Sequence, residues 1–270
     1  MQKTGFLQYQ NSQIHYLQFG TGDKILFAFH GFSENGNSFF VLEESLGKKY
    51  TVVAIDLPFH GETQWNEMSH FTNIDLENII RLFIGQYKQE RFSVLGFSMG
   101  GKCALYVVKF FAPQIDELFL MASDGIKTNK IYNVAVYPKW GRELFKTTIN
   151  HPGWLFTIVK VASKLKILSP WLKKFTEVHM ETKEKRERLY NTWISMAQFN
   201  PDITLVKEKI NANAIKTYLF FGIRDEVIPV SVGESFAMNL KYCSLTKLER
   251  GHYFIDAKLN TFITNELNAQ

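Results

Sequence analysis

The chain has 270 residues, of which 46% are hydrophobic and 21% charged, and its net charge is +5. That balance is the one of an ordinary globular protein, and the length allows one large domain with a deep core or two small ones. No apolar run approaches the roughly 18 residues that a membrane-spanning helix needs, so a membrane span is excluded.

The N-terminal stretch "MQKTGFLQYQNSQIHYLQFG" alternates like a hairpin, Phe6 to Tyr9 and Ile14 to Leu17 around the turn residues Asn11 and Ser12. It lacks the basic start and apolar block of a signal peptide. Beyond it, short apolar runs predict buried strands at 24–30, 51–56, 92–97 and 116–123. Helical spacing predicts helices at 37–49, 73–88 and 99–111, the last stopping before Pro113. Such alternation implies a mostly parallel sheet with helices on both faces.

From about 126 to 200 no strand-like run occurs, and 154–172 and 182–198 are expected to be helical. Strands are expected again at 215–222 and 243–249, with helices at 231–240 and 253–267. A helical insert of about 75 residues therefore interrupts the α/β pattern, and connections of that length usually serve function. The insert holds 14 Lys or Arg against 5 Glu, a net +9, which leaves −4 for the rest of the chain. Its segment 154–175 mixes Trp154, Leu155, Phe156, Ile158, Val159, Leu165, Trp171 and Phe175 with Lys160, Lys164, Lys166, Lys173 and Lys174. Lysines simply left in solvent beside an apolar helix face would explain this. So would a basic surface for an anionic substrate, an acidic acyl carrier or a membrane surface. Without a reading motif it is no nucleic-acid signature.

Two cysteines, Cys103 and Cys243, suit free thiols in a reducing compartment, hence a cytoplasmic protein. Cys103 is expected to be a small buried side chain. His151 and His179 stand alone, and no HxH, HExxH or CxxC spacing occurs, so no metal site and no cofactor is expected.

The chemistry concentrates in "VLGFSMGGK", residues 94–102. Gly96-x-Ser98-x-Gly100 follows a predicted strand and opens a predicted helix. There the turn must be tight enough to expose the serine Oγ, and side chains at 96 and 100 would meet the neighbouring strand and helix. A plain glycine turn would use the same letters, so the partners decide. A nucleophilic serine needs a base, and the base an orienting acid. His252 lies just after the final predicted strand, in "LERGHYF". Asp225 lies four residues past the apolar run ending at Phe221. Asp124, in "MASDGI", also follows a strand end and is the alternative acid, with a turn cap as its other role; Glu226 is a third candidate. The order Ser98, Asp225, His252 fits the architecture best. Oxyanion-hole donors are expected at the Met99 N–H, after the nucleophile, and at the Phe32 N–H, with His30 and Gly31 shaping that loop.

Together these motifs resemble the α/β-hydrolase fold family: "HGF" at 30–32, "DLPFHGET" at 56–63, "GFSMGG" at 96–101, the Asp225 loop and "GHYF" at 251–254. The resemblance covers nearly the whole chain. It implies an α/β-hydrolase core over 1–125 and 201–270, and a helical cap over the active site at 126–200. Two departures stand out: Phe59 where the family's DLPGHG loop has glycine, and Lys102 where some members have arginine. A serine nucleophile argues against the dehalogenases and epoxide hydrolases of this fold, which use aspartate. The GxSxGG and HGF forms are similar to those of biotin-pathway carboxylesterases and menaquinone-pathway synthases. The expected function is a serine hydrolase acting on a small-molecule ester or thioester, acyl or aromatic. A lyase using the same triad for proton abstraction, and a ligand-binding protein with little turnover, are the alternatives.

Overall fold

A computed structural model describes residues 2–127, 130–168 and 170–269. Position 169 of the predicted 154–172 helix, and the Trp171 side chain, lie outside the described residues. The chain divides into two compact units, one formed by Met1–Lys127 with Phe199–Gln270, the other by Thr128–Gln198.

The first unit is built on an eight-stranded sheet. Its strands are β1 (Lys3–Tyr9), β2 (Ser12–Phe19), β3 (Lys24–Phe29), β4 (Tyr50–Ile55), β5 (Phe92–Phe97), β6 (Ile115–Met121), β7 (Lys216–Gly222) and β8 (Cys243–Leu248). They lie in the order β1-β2-β4-β3-β5-β6-β7-β8. β1 and β2 form an antiparallel hairpin, and β2 joins β4 antiparallel. From β4 to β8 every pairing is parallel. All six residues of the central β5 are buried, which is why it reads as an unbroken apolar run.

The helices of this unit are α1 (Glu43–Leu46), α2 (Asn73–Tyr87) and α3 (Gly100–Phe111). The second unit contributes α4 (Lys130–Val136), α5 (Lys139–Asn150), α6 (Gly153–Lys164), α7 (Pro170–His179) and α8 (Lys183–Met196). α9 (Ile203–Ala212), α10 (Val230–Ala237) and α11 (Leu259–Asn268) complete the first unit. α3 packs on β5 and against α2 and α9, while α1 packs on α11. Phe19, Phe39, Tyr50, Phe119, Phe220, Phe254 and Ile263 share one buried cluster with strand and α11 residues. This is the α/β-hydrolase arrangement of a mostly parallel sheet with covering helices.

Three elements depart from the periodicity. Segment 37–49 is a 3-10 helix, Gly36–Leu42, followed by the single turn of α1. Gly36, Phe39 and Leu42 are buried at steps of three, the 3-10 repeat. Segment 154–172 splits into α6 and α7. Lys166 takes a left-handed φ of 56°. The Ile167 and Lys166 N–H groups then donate to Ala162 and Ser163 carbonyls at 3.1 Å each, closing α6 with a Schellman motif that lacks its usual glycine. The last helix begins at Leu259, six residues later than its spacing suggests. Asp256 takes the Lys258 N–H at 2.9 Å on its side chain and the Leu259 N–H at 3.0 Å on its carbonyl, so 253–258 stays irregular.

Among the described residues no helix is long and apolar enough to cross a membrane, and no cluster of metal-ligating side chains occurs. Both cysteines are free thiols, Cys103 buried and Cys243 half-buried.

Candidate active site

The site lies at the carboxyl ends of the parallel strands, where open α/β sheets leave their crevice. Ser98 follows β5 and starts the turn into α3. Its φ is +49°, a left-handed conformation that strains a residue with a Cβ. The turn is held on both sides. The Ser98 N–H donates to the Met121 carbonyl at 3.0 Å, and the Ser98 carbonyl accepts from Gly101 and Asp124 N–H groups at 2.9 Å each.

The glycines around Ser98 are required by close approach. A Cβ on Gly100 would stand 2.0 Å from the Phe29 carbonyl oxygen, and one on Gly96 2.8 Å from the Ala104 Cβ. A Cβ on Gly101 would stand 1.9 Å from the side-chain Oγ of Ser123. Strand β3, strand β5 and helix α3 meet at this turn only because these side chains are missing.

His252 comes from the loop after β8 and Asp225 from the loop after β7. The His252 Nε2 lies 2.9 Å from the Ser98 Oγ, and its Nδ1 lies 2.8 Å from the Asp225 Oδ2. The other carboxylate oxygen of Asp225 accepts the Val227 and Ile228 N–H groups at 2.7 and 2.8 Å. With only donors around it, this carboxylate directs the Nδ1 proton of His252 toward itself and leaves Nε2 to accept from the serine hydroxyl. Asp225 and His252 are buried, and Ser98 is half-buried. Phe97 packs its ring 5.4 Å from that of His252.

Asp124 does not join this chain. Its carboxylate takes the Gly125 N–H at 2.7 Å and lies 3.4 Å from the Nζ of Lys102, which is buried in the first turn of α3. Glu226 is exposed, and Asp225 rather than its neighbour points into the site. Lys102 thus has a structural partner that its sequence position does not reveal.

The loop after β3 turns at Gly31-Phe32-Ser33-Glu34. The Glu34 N–H donates to the Gly31 carbonyl at 3.2 Å, and Ser33 has a φ of +65°. His30 is fully buried beneath it. Its Nε2 accepts the Leu57 N–H at 3.0 Å, so Nδ1 carries the proton and donates to the Gly31 carbonyl at 2.7 Å. Burial lowers the His30 pKa, against the opposing pull of the Gly31 carbonyl and of Asp56. His30 therefore fastens two loops as a neutral ring.

Asp56 fixes the same region from the "DLPFHGET" segment. It accepts the Gly36 N–H at 2.6 Å, the Glu62 N–H at 2.9 Å and the His15 Nδ1 at 2.8 Å. Phe59 adopts a φ of +70°, so the left-handed turn is kept although a phenylalanine stands where glycine is the easier choice.

Glu34 belongs to none of the sequence motifs. Its Oε2 accepts the Gly31 N–H at 3.3 Å. Burial raises its pKa, partly offset by that N–H and by the His252 ring, which its carboxylate faces electrostatically. The signal available in the sequence was a lone carboxylate three residues after Gly31, able to reach back over its own turn.

Comparison with known proteins agrees with this architecture. The family described as alpha/beta hydrolase fold matches residues 24–170, more than half of the chain. The chain belongs to the alpha/beta hydrolase fold family. A stretch of 95 residues is 30% identical to a "Probable serine hydrolase" of Drosophila melanogaster, covering 34% of this chain and 29% of that one. The chain spans about a third of the length of the curated relatives it matches. Among solved structures, MGS-M2, an alpha/beta hydrolase enzyme from a Medee basin deep-sea metagenome library, has a TM-score of 0.70 at 16% identity, covering 98% of this chain and 96% of that one. A thermophilic esterase from Thermogutta terrifontis has a TM-score of 0.69 at 15% identity, covering 99% of this chain and 98% of that one. At these identities the likeness is one of fold.

Proposed function

We propose that the protein is a serine hydrolase that cleaves a carboxylic ester or thioester through an acyl-enzyme at Ser98. The observation that carries this reading is the unbroken chain Ser98 Oγ, His252 and Asp225, with contacts of 2.9 and 2.8 Å. Ser98 attacks the carbonyl carbon while its proton passes to the His252 Nε2. Asp225 holds the ring in the tautomer that can accept that proton and stabilises the imidazolium that forms. The tetrahedral oxyanion is held by the Met99 N–H, at the start of α3 where first-turn N–H groups lack intrahelical acceptors, and by the Phe32 N–H in the β3 loop. His252 gives its proton to the leaving alcohol or thiol. It then takes one from water, which attacks the acyl carbonyl, and returns that proton to the Ser98 Oγ as the acid is released. The electrostatic field at the amino end of the twelve-residue α3 favours the developing negative charge.

The test is hydrolysis of p-nitrophenyl esters, acetate through decanoate, by wild type and Ser98→Ala. Turnover that falls on the order of 10³-fold or more in the variant is expected. A folded wild type that hydrolyses none of the series, or a variant as active as wild type, would contradict the proposal.

A further inference from the structure

Within the second unit, α6 has more apolar side chain than it buries. Its inward stripe is narrow: Val159 is buried, and Leu155, Ala162 and Ser163 are half-buried. Trp154, Ile158, Val161 and Leu165 recur at steps of four, three and four, so they share one outer face. On that face and just beyond it, Ile158, Val161, Leu165 and Ile167 are 54, 52, 64 and 75% exposed. A helix that leaves such an apolar face in solvent ordinarily meets a partner or a lipid phase.

The charge along α6 and α7 is mostly positive. Lys160, Lys164, Lys166, Lys173 and Lys174 are all exposed, and Glu177 is the one acid along α6 and α7. Glu177 stands 3.8 Å from Lys173. Lys160, Lys164 and Lys173 line a hollow of about 320 Å³ together with Phe156 and Glu177. The opposite flank of α6 borders an apolar hollow of about 300 Å³ lined by Trp140, Leu144, Trp154, Phe175 and Trp193.

We infer that this face of the insert docks on the surface of a bilayer containing anionic phospholipid. The lysine hollow suits phosphate headgroups, and the Ile158 to Ile167 face suits the acyl boundary just beneath them. Trp154 shares the Ile158 face and brings to it an amphipathic ring of the kind favoured at a membrane boundary. An acidic protein would satisfy the lysines but would leave the apolar face in water. A bilayer surface supplies both layers at once. The inference does not depend on the chemistry at Ser98.

The full chain is sedimented with vesicles of phosphatidylcholine alone and of phosphatidylcholine mixed equally with phosphatidylglycerol. Binding is expected to the mixed vesicles, about 10-fold or more above the neutral ones, and to fall as salt screens the lysines. Two variants separate the parts: Lys160→Gln with Lys164→Gln and Lys173→Gln, and Ile158→Ser with Val161→Ser and Ile167→Ser. Each is expected to lose about 10-fold in binding while its thermal melting stays close to wild type. Equal binding to both vesicle types, or variants that melt normally and bind like wild type, would overturn the inference. So would binding to polyglutamate with none to vesicles, which assigns the lysines to an acidic protein. A dimer in solution that the Ile158 variant dissociates would overturn it too, by assigning the face to a second copy.

Discussion

Ser98, Asp225 and His252 differ in what holds each of them, and the differences predict different losses. Asp225 uses one oxygen for two backbone N–H groups and the other for His252. Asp225→Asn keeps the shape but offers the ring the wrong hydrogen-bond pattern. Ester turnover is expected to fall on the order of 10³-fold or more with little change in stability, as seen by kinetics and melting on one preparation. Asp124→Asn should leave turnover nearly untouched, because its partners are Lys102 and the Gly125 N–H. From letters alone both aspartates follow a strand end and strand order favours Asp225; the buried lysine that holds Asp124 is invisible until α3 is laid on β6.

At the scale of elements, the strand–turn–helix around Ser98 is where packing leaves least freedom. A Cβ at position 100 would meet the Phe29 carbonyl oxygen at 2.0 Å, and backbone cannot retreat as a flexible side chain would. Gly100→Ala is expected to destabilise by about 3 kcal/mol or more, read from urea unfolding. The parallel strands inside the sheet were legible because burial on both faces writes an apolar run that period and length identify; the edge strand β8, CSLTKL, is only partly buried and carries no such run. The helix ends were less so. α6 ends on Lys166 in a left-handed conformation, without the glycine that would mark the stop, and the apolar spacing runs on past it toward Pro170. The irregular stretch 253–258 likewise contains apolar Tyr253, Phe254 and Ile255 at intervals a helix could use. There Phe254 enters the core, and Asp256 is held at 2.6 Å by Arg250, so tertiary contacts overrule the local pattern. The meeting of Ser98 and His252 was legible for a different reason: both sit in loops at the same ends of parallel strands, and topology brings such loops together.

On the scale of the molecule, the first unit places two buried polar clusters at opposite ends of one sheet. Ser98, Asp225 and His252 follow the carboxyl ends of β5, β7 and β8. At the amino ends, the buried Glu117 accepts from Lys49 at 2.8 Å, from Tyr218 at 3.2 Å and from the Tyr50 hydroxyl. Burial pushes the Glu117 carboxyl upward, but these hydrogen bonds and the Lys49 charge outweigh it and hold it below the usual glutamate range. A lowered folded pKa gives stability that is complete above the unfolded glutamate value, about 4.3, and is lost as pH falls through the folded one. Glu117→Gln should therefore cost about 2 kcal/mol at neutral pH. The gap from wild type should close as the solution is acidified, in unfolding curves taken across that range. A gap independent of pH would deny the carboxylate its role.

The proposed chemistry stands or falls on Ser98 being an activated nucleophile, and covalent labelling measures that reactivity at its source. The protein is treated with a fluorophosphonate, its intact mass is recorded and the adduct is mapped by peptide. A single phosphonyl group on Ser98 is expected, with labelling slowed on the order of 10³-fold or more by His252→Ala. A folded chain that stays unlabelled, or one labelled elsewhere with Ser98 untouched, would contradict it.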